Sequence, residues 1–164
     1  AQHVIAVDPI AFKRETALRL GATHATGDAE EARALAVELT RGVGADKAIV
    51  TVGTIDSEVI DQAFTAIGKA GTVVLTSMGG GFHDRTIQLP AQVATLWKKT
   101  IKGSLFGDCN PTTDIPRLLG LYRSGDLRLD ELVTRTYALE QVNEGYDDLL
   151  AGRNVRGLIV HSHD

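Results

Sequence analysis

Apolar residues fall along this chain in short unbroken runs that alternate with stretches of helical spacing. The run "HVIAVD", starting at His3, is rich in β-branched residues and bounded by Pro9, which predicts a buried strand. In "AFKRETALRLG", Phe12, Ala17, Leu18 and Leu20 lie near one helical face, and Gly21 is placed for a left-handed stop. Asp28 and Glu31 stand three apart ahead of "ARALAVELT", a start signal related to the capping box, and that helix is expected to end at "RGVG". "KAIVTV" and "GTVVLTS" read as continuous buried strands. Between them, "DSEVIDQAFTAIG" carries Val59, Ile60, Ala63, Phe64 and Ile67 at helical spacing, with a glycine past its end. Two strands around such a helix predict a right-handed β–α–β crossover in a parallel sheet.

After "LPAQVATLWKK", the run "TIKGSLFG" is a further strand candidate containing Gly103. Beyond Gly107 the rhythm changes. "DIPRLLGLYRSG" and "LEQVNEGYDDLLAG" are helical, while "LVTRTYAL" and "GLIVHS" read as strands. This tail is expected to form a second structural unit packed beside the first, with no repeat or low-complexity linker between them.

The strand ending at Asp8 carries the first candidate chemistry. In dinucleotide-binding folds a strand of this kind comes second, and its terminal acid accepts hydrogen bonds from two ribose hydroxyls. The same charge repels a 2′-phosphate, so it favours NAD over NADP. Lys13 could reach that ribose from the following helix. The competing reading makes Asp8 an N-cap, with Pro9 in the first turn. A pyrophosphate-gripping turn is not found. "GVGADK" precedes a strand instead of following one, and in "GGGFHD" Asp84 stands where the third glycine is needed. The expected fold is therefore α/β: a partial Rossmann-type, doubly wound parallel sheet lacking its first strand, with an α+β segment after it.

Charge and composition exclude more than they assign. Seventeen basic residues against 21 acidic ones leave a net charge of −4 and no basic footprint for nucleic acid. No apolar run reaches the roughly 18 residues a membrane span needs, and the start lacks the features of a signal peptide. Cys109 is the only cysteine, which excludes an internal disulfide and a four-thiolate zinc site and leaves a reducing cytoplasm as the expected location. His161 and His163 in "HSHD" are two ligands without a third, so they read as strand end and tail. His24 and His83 read as ordinary turn residues, and no nucleophile–base pair is apparent.

Taken in order, "VIAVDPIAFKRETALRLGAT", "GVGADKAIVTVG", "GTVVLTSMG" and the segment from "TIKGSLFG" to "VNEGYDDLLAGRNVRGLIV" resemble the zinc-dependent medium-chain alcohol dehydrogenases over nearly the whole chain. The resemblance implies that Asp8 and Lys13 hold the adenosine ribose, and that Thr51, Val52 and Gly53 lie against the adenine and ribose side of the coenzyme. It implies that Ser77 and Met78 flank the nicotinamide, where Leu105 and Phe106, at the end of the last strand, also offer backbone to the carboxamide. Arg156 matches a basic residue that reaches the coenzyme phosphates, a task suited to its planar fork.

The same resemblance implies a division at residue 106. Residues 1–106 would form the partial dinucleotide-binding domain and 107–164 a segment of the catalytic domain. The expected function is the coenzyme-binding part of an oxidoreductase that moves hydride from an alcohol to NAD. Zinc in the intact enzyme would be held by ligands outside this chain, and the fragment alone would be inactive. The expected partners are an alcohol or aldehyde, the missing N-terminal half, and a second copy joined through the 100–107 edge strand. A zinc-free quinone or enoyl reductase, which would more often use NADP, and a non-catalytic nucleotide-binding module are the alternatives. Asp8 argues against the first.

Overall fold

The structure, a computed structural model, describes residues 1–77 and 86–161. Parallel pairing organises every sheet in it. The first part runs β1 (Ile5–Val7), α1 (Ala11–Arg19), β2 (His24–Thr26), α2 (Ala29–Leu39), β3 (Ala45–Val50), α3 (Ser57–Ala66), β4 (Ile67–Leu75), α4 (Ala91–Leu96) and β5 (Thr100–Gly103). The tail adds α5 (Pro111–Arg123), β6 (Val133–Tyr137), α6 (Val142–Leu150) and β7 (Arg156–Ile159).

β1 pairs with β2, and β3–β4–β5 form a separate three-stranded sheet. Among the described residues no ladder joins β1 to β3, the break expected where a first strand would stand. α2 instead touches both β1 and β3. Ile49, inside β3, is 64% exposed.

The core lies between α3 and the larger sheet, where Val50, Phe64, Ile67 and Val73 pack together. Ile60 and Phe64 are the buried residues of α3, in keeping with its spacing, and Asp56 opens that helix by accepting from Val59 N–H at 2.9 Å. α2 begins at Asp28, which accepts from Glu31 N–H at 2.8 Å, while Glu31 Oε2 reaches back to Gly27 N–H at 3.4 Å. These caps satisfy amides that the helical ladder leaves open.

Several local expectations change. His24 belongs to β2 and not to a turn; three residues with one small apolar side chain give no run to read, and their pairing with β1 makes the strand. On α1 the buried residue is Thr16, whereas Leu18 is exposed. The Thr16 hydroxyl meets its own needs by donating to the Phe12 carbonyl and accepting from Arg19, so it can face inward. α3 has no glycine stop. Ile67 turns at once to extended backbone and starts β4, and at Gly68 a Cβ would run into the Val43 carbonyl. β5 ends at Gly103, so Leu105 and Phe106 lie beyond the strand and not at its end. The tail contains a further parallel unit, since β6 pairs with β7 across α6.

Candidate functional site

The carboxyl ends of β3, β4 and β5 stand level. Val50 is in register with Leu75, and Leu75 with Gly103. The chain leaving each strand stays tied to its neighbour. Thr76 N–H and Oγ1 both reach the Val50 carbonyl, at 3.1 and 3.0 Å, and Ser104 N–H donates to the Leu75 carbonyl at 2.9 Å. This alignment brings Thr51, Val52 and Gly53, Ser77, and Leu105 and Phe106 to one edge. The carboxyl edge of a parallel sheet is where α/β proteins hold ligands.

The groups at this edge are poorly covered by the described residues. Ser77 Oγ is buried and has no hydrogen-bond partner among the described residues. Thr51, Val52 and Gly53 are exposed, and Phe106 is 82% exposed with a φ of 48°. An exposed ion pair of 2.8 Å between Lys102 and Asp108 fastens the Leu105–Phe106 turn to β5. The Lys102 hydrogen bond and charge hold the Asp108 carboxyl below the usual carboxylate range, and the same contact raises Lys102. Met78 lies outside the described residues, as do His83 and His163.

At the end of β1, Asp8 N–H donates to the Thr26 carbonyl at 3.2 Å, closing the β1–β2 pair. Asp8 is not the N-cap of the competing reading: α1 starts at Ala11 with Ile10 as its N-cap, so Pro9 stands before the helix and not in its first turn. Asp8 Oδ1 accepts from Ile10 N–H at 2.8 Å, a local turn that leads into α1. Oδ2 takes no hydrogen bond from a described residue. Half-buried Lys13 makes no ion pair among the described residues, and its stem runs toward Gly152 in the tail. A Cβ at Gly152 would strike Ile10 Cδ1, so the loop after α6 packs directly on the start of α1. Arg156, four residues farther on, opens β7 with its side chain exposed.

Sequence reasoning missed a buried cluster under that loop. Asp148 is 3% exposed and accepts from Tyr137 Oη, Arg135 Nη1 and Arg153 Nε. The Arg153 and Tyr137 hydrogen bonds, with the charges of both arginines, hold its carboxyl below the ordinary range against the opposing effect of burial. Asn154 Nδ2 donates to Tyr137 Oη at 3.0 Å. The only advance signal was the density of charge in "YDDLLAGRNVRG". Arg14, also missed, donates to the Asp8 carbonyl at 2.7 Å.

A family model described as zinc-binding dehydrogenase matches residues 1–124, about three-quarters of the chain. The chain belongs to the zinc-binding dehydrogenase family. It is 56% identical, over its whole length, to the NDMA-dependent alcohol dehydrogenase of Amycolatopsis methanolica, and spans 44% of that relative. Among solved structures it resembles benzyl alcohol dehydrogenase from Acinetobacter calcoaceticus, with 29% identity and a TM-score of 0.87 over 99% of this chain and 43% of that one. An alcohol dehydrogenase zinc-binding domain protein from Burkholderia ambifaria gives 32% identity and a TM-score of 0.87 over the same shares. The chain thus spans less than half the length of these relatives. Among the described residues, no group of three or more His, Cys, Asp or Glu side chains could hold a metal. Cys109 is exposed and stands apart from any such cluster. Nor, among the described residues, is any helix long and apolar enough to cross a membrane.

Proposed function

We propose that this chain is the coenzyme-binding part of an NAD-dependent alcohol dehydrogenase that works as a dimer in the cytoplasm. The observation that carries the reading is the level carboxyl edge of β3, β4 and β5, with the unpartnered Ser77 Oγ beside it. A buried hydroxyl without a partner costs stability unless something else supplies one, and a carboxamide fits that need. Once bound, the nicotinamide supplies the hydride acceptor.

The chain's residues supply position. Ser77 with Met78 and the backbone at Leu105 and Phe106 would orient the nicotinamide. Thr51, Val52 and Gly53 would lie along the adenine side, and the open Oδ2 of Asp8 would accept from the ribose, with Lys13 beside it. Arg156 would meet the phosphates from the tail, a role supported by the packing of Gly152 on Ile10. Residues 107–164 are read as belonging to the catalytic domain, and the alcohol, any zinc ligands and the remainder of that domain as lying outside the chain. β5 pairs on one side alone among the described residues, which leaves an edge for a second copy.

Calorimetric titration of the full-length protein with NAD and NADP, paired with alcohol oxidation, tests the reading. The assay is run with and without NDMA, because a 56% identical relative is named for dependence on it. NAD binding that weakens in Ser77→Ala supports the assignment; preference for NADP, or no binding of either, overturns it. A single-chain mass by light scattering would overturn the dimer.

A further inference from the structure

We propose that Asp108 is a positioning residue for the nicotinamide end of the coenzyme, acting through Lys102 to hold the Leu105–Phe106 turn in the conformation that offers its backbone. The proposal rests on the reading of the β3–β5 edge as the coenzyme site, and neither side chain need touch the ligand. The turn has an unusual backbone. Phe106, Gly107 and Asp108 follow one another with φ of 48°, 73° and 56°, all left-handed. Glycine adopts that region freely and aspartate tolerates it, but for a residue as bulky as phenylalanine it is an outlier that something else must sustain. Packing does not do so: Leu105 is exposed and Phe106 is 82% exposed, so no core among the described residues holds the turn. Strain of this kind persists where the surroundings over-determine it, and it gathers at ligand clamps.

Two contacts of Asp108 sustain it. Its N–H donates to the Leu105 carbonyl at 2.9 Å and closes the turn on itself. Its carboxylate accepts from the Lys102 ammonium at 2.8 Å, and Lys102 stands inside β5, in register with Val74 of β4. After Lys102, the Ser104 side chain and the Leu105 backbone add to the hold on the carboxylate. Ser104 N–H is itself fixed by the Leu75 carbonyl, just before the chain reaches Ser77. Among the described residues the Phe106 N–H and carbonyl take no hydrogen bond, so they are what the turn has to offer. Ser77 Oγ and this open backbone are thus placed against the same two strand ends, one by the exit of β4 and the other by the Lys102–Asp108 link.

A plain stabilising role explains the pair less well. Both side chains are exposed, and exposed pairs add little to folding. A contact too weak to matter for the whole fold can still choose between two conformations of a short turn. Its influence should also be local. The adenosine half of the coenzyme is read as held at Asp8 and the exit of β3, which the Lys102–Asp108 link does not touch.

The test titrates NAD and ADP-ribose, which is NAD without its nicotinamide, into the full-length protein by calorimetry. Asp108→Asn removes the charge and keeps the left-handed backbone, which asparagine tolerates as aspartate does. It should weaken NAD about three- to fivefold and leave ADP-ribose unchanged. Lys102→Met should do the same, with no further loss in the double variant, while Lys102→Arg should keep the wild-type affinity. A merely structural link would weaken both ligands alike. That outcome, no change in either ligand, or a Lys102→Arg variant that behaves like Lys102→Met overturns the inference and leaves the coenzyme reading intact. A lost NAD affinity that accompanies a lower mass by light scattering also overturns it, since the pair would then serve assembly. A wild-type protein that binds neither ligand overturns the coenzyme reading and this inference with it.

Discussion

Tyr137 Oη donates to Asp148 Oδ2 at 2.8 Å, and this bond fastens β6 to α6 in the interior of the tail. The phenol oxygen also accepts from Asn154 Nδ2, and Asn154 Oδ1 is buried without a partner among the described residues. Gly145 and Gly157 flank the ring closely enough that a Cβ on either would touch it. Hydrogen bonding and shape here fix the same side chain.

Tyr137→Phe separates the two. The ring still fits, but Asn154 loses its described partner in a buried place. We expect a loss of about 1–3 kcal/mol, read as a lower urea midpoint with an unchanged slope. An unaltered midpoint would mean that the network contributes nothing net.

Acid should weaken the tail through Asp148. Its native carboxyl lies below the ordinary value of 3.8, so as pH falls the unfolded chain takes up the proton first. The contribution is complete above the unfolded value and is lost as pH drops through the depressed native value. Wild type and Asp148→Asn should differ by a constant amount well above the ordinary value of 3.8, and that difference should shrink as pH falls below it. Parallel curves on both sides of that value would refute the assignment.

Gly152→Ala should injure two places at once. Gly152 has φ +67°, where alanine costs roughly 1–2 kcal/mol, and its new methyl would collide with Ile10 Cδ1. Ile10 provides the N–H that orients Asp8. Reduced NAD affinity should therefore accompany the lost stability. Ile10→Val, which removes Cδ1, should restore part of both, a coupling measurable in a double-mutant cycle.

Lys99 offers a test of the sheet that carries the edge. Its Nζ donates to the Phe64 carbonyl in the last turn of α3 at 2.6 Å and lies 4.8 Å from the Phe64 ring centre and 5.0 Å from that of Trp97. Burial, and then the charge of Arg33, lower its pKa. Lys99→Met keeps the stem and removes the donor. The expected loss is about 1–2 kcal/mol by thermal or urea unfolding. A neutral result would show that water replaces the ammonium.

What could be read in the residues was what local chemistry decides. Asp28 announces its helix because an N-cap needs only the next three residues. The apolar runs of β3 and β4 announce buried parallel strands for a similar reason. β2 could not be read, since "HAT" has strand character only beside β1. Thr16 against Leu18 is a choice of helix face that depends on what packs there. The resemblance led to the expectation of a site at the ends of β3, β4 and β5, but their level register is a property of the assembled sheet. Arg14 and Asp148 were hidden as ordinary charges, because their partners are fixed by turns and by the crossing of β6, α6 and β7.

The division of β1–β5 into two separate sheets grades how fast their amides trade hydrogen for deuterium. From Thr72 to Leu75, β4 is paired on both flanks, with β3 and with β5. Among the described residues, β1 is paired on one flank, by β2. Protection in this chain should therefore be deepest along β4 and shallowest across β1, with α2 as the element whose opening releases the smaller sheet from the larger.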